Sequence, residues 1–219
     1  DIGVVAIIGG TGKEGSGLAL RWAGAGIRVA IGSRQVEKAE RVAAELNERL
    51  GRQAISGHDN LKAARMGDVV VLTVPYEAHQ ATLAAIQNAI AGKVLVDVTV
   101  PLDPADARRV HLPAAGSATQ EAQNFLGNGV RVVAAFQNIS AGHLRNPENP
   151  IDCDVLVCGD DAQAKQVAID LATLAGIRGI DAGPLANAGI IEGLTSILIG
   201  INIRYKTRHA GIRITGLPT

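Results

Sequence analysis

Three glycines at Gly10-x-Gly12-x-x-Gly15 sit between an apolar run and a helical pattern, and their spacing can do chemistry. The run is Val4-Val5-Ala6-Ile7-Ile8, and the pattern after it carries Leu18, Leu20 and Trp22 among small residues. A strand that turns at glycine into a helix presents free N–H groups and a positive dipole end, which together seat a phosphate. In the dinucleotide arrangement the first glycine permits the tight turn and the second lets the backbone approach a pyrophosphate. The third lets the helix pack close to the strand. Those duties are expected of Gly10, Gly12 and Gly15, with Thr11, Lys13 and Glu14 completing the loop. A plain glycine turn has the same spacing, but the flanking strand, helix and second strand favour a nucleotide loop.

The second informative site is the exit of the next strand, Ile27-Arg28-Val29-Ala30-Ile31, at Gly32-Ser33-Arg34. The residue there meets the adenosine ribose, and an acid would bind the 2′-hydroxyl of NAD. This chain has no acid at that position. It has the Ser33 hydroxyl, the Arg34 guanidinium and, one helical turn on, Lys38. Arg34 and Lys38 at i and i+4 are expected to share a helix face. A fork and a point charge suit a doubly charged 2′-phosphate, with Thr11 facing them. A solvated basic pair is the alternative, but a helix start disfavours cations. The expected cofactor is therefore NADP(H).

These groups need a sheet to hold them. Gln35 to Leu50 reads as an amphipathic helix, followed by a short strand near Ile55 and a helix from Leu61 to Met66. Asp68 to Pro75 is a continuous apolar strand of the kind buried on both faces of a parallel sheet. Its carboxyl end, with Val74, is expected to face the nucleotide. A helix from Glu77 to Ile90 carries His79, expected at the surface or in a cap because no partner acid is evident. Lys93 to Val98 and Val130 to Phe136 read as strands. A loop from Pro101 to Ser117 and a helix from Ala118 to Leu126 lie between them. His143 to Pro150 reads as loop, Asp154 to Cys158 as strand, Ala162 to Leu174 as helix and Ile177 to Ile180 as strand. Asp160-Asp161 reads as a helix cap rather than a metal or acid–base pair. Cys153 and Cys158, an odd number of residues apart, should point to opposite faces as core residues without a disulfide or zinc site. No metal site and no catalytic acid–base residue is expected.

The fold class is thus α/β: a doubly wound Rossmann-type parallel sheet with a small C-terminal helical segment. The expected division is 1–182 for the NADP-binding domain and 183–219 for the C-terminal segment. In that segment Ile190, Ile191, Leu194, Ile197, Leu198 and Ile201 recur at helical spacing, with Ile199 and Ile203 on other faces. A helix apolar nearly all round needs burial, and a homodimer contact is the expectation, against burial within its own subunit. The greasy stretch Gly193 to Ile203 is too short for a bilayer, which takes about 20 residues. Lys+Arg and Asp+Glu are both 21 and aromatics are 2%, which argues against a nucleic-acid partner. With no secretory signal visible, a cytoplasmic protein acting on small molecules is expected.

Further stretches carry a resemblance: Gly9-Gly10-Thr11-Gly12, Gly32-Ser33-Arg34 with Lys38, Leu72-Thr73-Val74-Pro75, Val155-Leu156-Val157-Cys158-Gly159-Asp160-Asp161 and Asp181-Ala182-Gly183-Pro184-Leu185. Together they resemble the NADP-dependent oxidoreductases of coenzyme F420, the 8-hydroxy-5-deazaflavin. The resemblance implies hydride exchange between NADP(H) and F420 in a dimeric Rossmann protein. It puts 2′-phosphate contacts on Thr11, Ser33, Arg34 and Lys38, and further nucleotide contacts near Tyr76, Gln80 and Ala141. Where the family carries a histidine and a Thr-Ile-Pro segment in its deazaflavin pocket, this chain has Gln137, Asn138, Ile139 and Ser140. The substrate-side residues implied are Gln137, Asn138 and Ile139. Alternatives are an NADPH reductase of an imine, ketone or ferric chelate, using Tyr76 or His79 as proton donor, and a non-catalytic NADPH sensor.

Overall fold

The architecture follows from strands that are apolar on both sides. In a computed structural model describing residues 2–217, β1 (Val4–Ile8) turns Val5 and Ile7 to one face and Ala6 and Ile8 to the other, all buried. The chain continues through α1 (Lys13–Gly24), β2 (Arg28–Ser33), α2 (Val36–Leu50), β3 (Ile55–Asp59) and α3 (Asn60–Met66). Then come β4 (Val69–Leu72), α4 (Tyr76–Ile86), β5 (Val94–Asp97), α5 (Ala118–Leu126) and β6 (Arg131–Ala134). The last elements are α6 (Ala141–Leu144), β7 (Asp154–Gly159), α7 (Ala162–Leu174), β8 (Arg178–Asp181) and α8 (Ala188–Arg204).

The strands form one sheet in the order β3-β2-β1-β4-β5-β6-β7-β8. Its first six strands are parallel, as expected of a doubly wound fold. One join departs from that pattern: β7 runs antiparallel to β6, and β8 then runs parallel to β7. The segment between β6 and β7 holds only the four-residue α6, too little helix for a parallel crossover. The last two residues of that short helix, His143 and Leu144, fall in the stretch expected to be loop.

Apolar clusters cover both faces of the sheet. One gathers Val5, Ile7, Val71 and Val96 with Trp22, Ala43 and Leu171 from α1, α2 and α7. The other gathers Ala6, Ile8, Leu72 and Leu95 with Ala63, Leu83 and Ala122 from α3, α4 and α5. Trp22 donates its indole N–H to the Leu171 carbonyl at 2.8 Å and meets Phe136 edge-on at 5.8 Å. Cys153 and Cys158 are free and fall in clusters on opposite sides of the sheet, as their spacing requires. Asp161 caps α7 by accepting from Ala164 N at 2.7 Å, and Asp160 accepts from Leu185 N at 2.9 Å.

Two expectations for the C-terminal part need correction. The contiguous helical stretch Leu185–Arg204 has 20 residues, long and apolar enough to cross a membrane by length and composition. The shorter count missed it because the stretch begins before Gly193. Within its own subunit the helix is covered on one side only, which goes against the alternative of burial there. Ala188 and Ile191 pack with Leu185 against Ala134 and Cys158, while Ile190, Ile197, Ile201 and Ile203 are exposed.

Candidate active site

The carboxyl ends of the parallel strands open into one cleft of about 970 Å³, where the exits of β1, β2, β4, β5 and β6 meet. Strand exits on either side of the β1/β4 switch point make such a crevice in this kind of sheet. Of the sequence candidates, Thr11, Gly12, Lys13, Glu14, Ser33, Arg34, Lys38, Val74, Gln137 and Ile139 line it. Gly10 and Gly15 lie beneath the loop. A Cβ on Gly15 would come within 2.7 Å of Gly10 Cα and of Thr73 Oγ1, so α1 reaches the strand only without one. The left-handed turn residue is Gly9, at φ +74°, rather than Gly10. Gly10 instead packs tightly, its N–H donating to the Gly32 carbonyl at 3.1 Å.

The β2 exit is built differently from the shared helix face expected of it. Helix α2 starts at Val36 after Gln35, so Arg34 precedes the helix and only Lys38 lies on it. Both still line the cleft, and neither makes an ion pair among the described residues. Ser33 Oγ accepts from Gln35 N at 3.1 Å, which fixes the oxygen and leaves its own hydrogen to donate.

Other candidates lie elsewhere. The Tyr76 hydroxyl donates to Glu121 Oε2 at 2.8 Å, and burial and that carboxylate push its pKa up to about 12. Gln80 is exposed on α4, and Ala141 opens α6. Asn138 is turned away from the main cleft: its Nδ2 donates to the Asp154 carbonyl at 2.7 Å, and it lines a neighbouring cavity of about 200 Å³. Thr195 of α8 touches both spaces, and its Oγ1 donates to the Gln137 carbonyl at 2.7 Å.

The expectation for His79 is overturned. It is buried, and its Nε2 lies 2.7 Å from Asp97 Oδ2. Burial works against its charged form, but the hydrogen bond and charge of Asp97 outweigh it, so the pKa is raised. The partner was hidden because it lies 18 residues away, at the end of β5. The signal that could have found it was a charged residue closing an otherwise apolar strand. Glu14 is half-buried, and the burial of its carboxyl pushes its pKa up to about 8. Glu192 is buried, held near 7 by burial against the hydrogen bonds it accepts from Thr119 and Ala118.

Comparison with known proteins gives the family of the chain. Residues 4–101 match the family of coenzyme F420-dependent NADP oxidoreductases. The chain is 50% identical to an F420-dependent NADP reductase of Methanothermobacter thermautotrophicus over 98% of its own length and 95% of the relative's. It is 45% identical to the enzyme of that name from Methanocaldococcus jannaschii, over 97% and 98% of the two chains. The chain belongs to this family. A solved structure from Arthrobacter sp. FB24, described as a candidate F420-dependent NADP reductase, superposes with a TM-score of 0.79 at 25% identity. That match covers 99% of this chain and 100% of the other. Family membership therefore extends past the nucleotide loop to the cleft's second wall at β6 and α8.

Proposed function

We propose that this chain is an NADP-dependent oxidoreductase that transfers a hydride between NADP(H) and the deazaflavin coenzyme F420. The observation that carries the reading is a cleft with a glycine loop on one side, a serine–arginine–lysine exit beside it, and family membership over the whole chain. The loop fits a dinucleotide. Nothing but the Gly9 carbonyl, at 3.7 Å, would stand near a Cβ on Gly12, so the backbone there is open to a pyrophosphate.

Thr11, Ser33, Arg34 and Lys38 hold the 2′-phosphate. Gly12, Lys13 and Glu14 sit against the pyrophosphate, with Gly10 and Gly15 shaping the turn below. NADPH bound there supplies the hydride. Val74 flanks the nicotinamide end, and Gln137, with Ile139, forms the wall facing the deazaflavin. Tyr76, Gln80 and Ala141 act at one remove, and Asn138 through the adjoining cavity. Transfer between two rings needs close approach in a sheltered cleft rather than a catalytic acid. The geometry disfavours an imine or ketone reductase, because Tyr76 is bonded to Glu121 and His79 to Asp97, away from a substrate.

Residues 1–182 form the NADP-binding unit, and 183–219 the segment that meets a second copy through the exposed isoleucines of α8. The helix already gives its Ala188–Ile191 side and Glu192 to its own sheet and α5, which favours a protein partner over a bilayer. The protein is cytoplasmic, with small-molecule substrates and no nucleic-acid or membrane partner. The test follows absorbance at the deazaflavin band with purified protein and NADPH. Bleaching that depends on the enzyme and on NADPH is the expected result, and no bleaching rejects the assignment.

A further inference from the structure

Four buried side-chain polar atoms lack a hydrogen-bond partner among the described residues: Glu14 Oε1, Thr99 Oγ1, Gln137 Oε1 and Asn138 Oδ1. Each belongs to a residue lining the cleft or its small neighbour. Orphaned buried polar atoms are uncommon and call for a reason. Two of the four converge on one organising residue.

Asp97 is fully buried at the end of β5. Its Oδ1 accepts from Thr99 N at 3.0 Å, its backbone carbonyl accepts from Gln137 Nε2 at 2.7 Å, and its Oδ2 is held by His79. The contact with the carbonyl fixes the orientation of the Gln137 amide. Only the NH₂ end can donate to a carbonyl, so Oε1 must point the other way. Phe136, just before it, has φ +72°, a strained conformation for a non-glycine residue. Its ring is locked edge-on against Trp22, so the chain leaves β6 in a fixed direction. Thr99 and Gln137 are only 2% and 4% exposed, and both line the cleft.

We propose that Thr99 Oγ1 and Gln137 Oε1 form a receiver for a planar amide or imide edge, an N–H beside a carbonyl, with Asp97 and His79 as its positioning residues. Gln137 Oε1 can only accept, and the Thr99 hydroxyl can both donate and accept, which together complement that edge. The inference rests on the hydride-transfer reading, in which two groups carry this chemistry: the nicotinamide carboxamide and the pyrimidinedione edge of the deazaflavin.

The test uses the full chain with Thr99→Val and Gln137→Met, which keep shape and remove the polar atom. Either the NADPH dissociation constant, by fluorescence titration, or the deazaflavin KM rises about 3- to 10-fold. Thr99→Val keeps the thermal midpoint, since removing an unpaired buried hydroxyl leaves no new orphan. It therefore decides the matter if Gln137→Met loosens the fold. An NADPH analogue with an acetyl group in place of the carboxamide separates the sources. A carboxamide source gives a wild-type preference for NADPH over the analogue that vanishes in Gln137→Met, which lacks the acceptor for the amide N–H, while Thr99→Val weakens both cofactors alike. A deazaflavin source leaves the preference intact and raises only the deazaflavin KM. Unchanged constants for both substrates overturn the proposal. Asp97→Asn should raise the same constant that Thr99→Val raises, and it should add nothing in a background that carries both Thr99→Val and Gln137→Met. An additive loss there removes the positioning role. The titrations need no turnover, so wild-type protein inert toward the deazaflavin rejects the proposed function while the carboxamide arm still gives its answer.

Discussion

His79 Nε2 and Asp97 Oδ2 meet at 2.7 Å with both side chains buried, and the pair ties α4 to the end of β5. The raised histidine pKa means the folded state favours its charged form. The resulting stability is complete below the ordinary value of 6.5 and is lost as pH rises through the raised one. Thermal midpoints of wild type and His79→Gln should therefore converge as pH increases from 6 towards 9. A gap that widens with pH contradicts the assignment. His79→Ala should destabilise by about 3–5 kcal/mol, because it leaves the carboxylate buried and unpaired.

Arg34 precedes α2, lines the cleft, and has no acidic partner among the described residues to compete for its fork. Arg34→Ala should weaken NADPH binding by about 10- to 100-fold, the worth of hydrogen bonds to a charged group. NADH, without the 2′-phosphate, should bind the variant as it binds wild type. Calorimetry with both cofactors checks this, and equal losses for the two would sink the phosphate assignment.

Glu14 stands in the first turn of α1, where a helix dipole favours a carboxylate, yet burial carries its pKa to about 8. A raised acid pKa gives stability that is whole below about 4.5 and drains away as pH rises through about 8. Glu14→Gln should remove that drain, so chemical denaturation at pH 9 should find the variant more stable than wild type by roughly 1–3 kcal/mol. Near pH 5 the two should match.

Glu192 fastens α8 to the start of α5, accepting from Ala118 N at 2.8 Å and from Thr119 N at 3.0 Å. Glu192→Ala leaves those N–H groups and the Thr119 hydroxyl buried without a partner. A loss of about 2–4 kcal/mol in urea unfolding is expected, with Glu192→Gln milder.

Ile190 is 71% exposed and Ile197 49%, on the side of α8 turned away from the sheet. Ile190→Lys with Ile197→Asp should shift sedimentation from dimer to monomer without lowering NADPH affinity. A wild-type protein already monomeric at high concentration would falsify the dimer contact.

The sequence by itself determined the doubly wound sheet, the glycine loop and the serine–arginine exit of β2 that line one cleft. Each rests on local information: apolar runs of Val and Ile at β1 and β4, glycine spacing at Gly10 to Gly15, and a missing acid at Ser33-Arg34. The register of β1 against β2 and β4 then brings those ends together with no further information. Tertiary structure alone decided that β7 runs antiparallel, since strand direction depends on what packs between strands rather than on strand composition. It alone decided which face of α8 is covered, because an all-round apolar helix carries no directional signal. It also decided the partner of His79, because parallel strands joined by helices set residues side by side that are far apart in the chain. The acid that raises the His79 pKa stands at the end of the following strand, and only folding brings the two within hydrogen-bond reach.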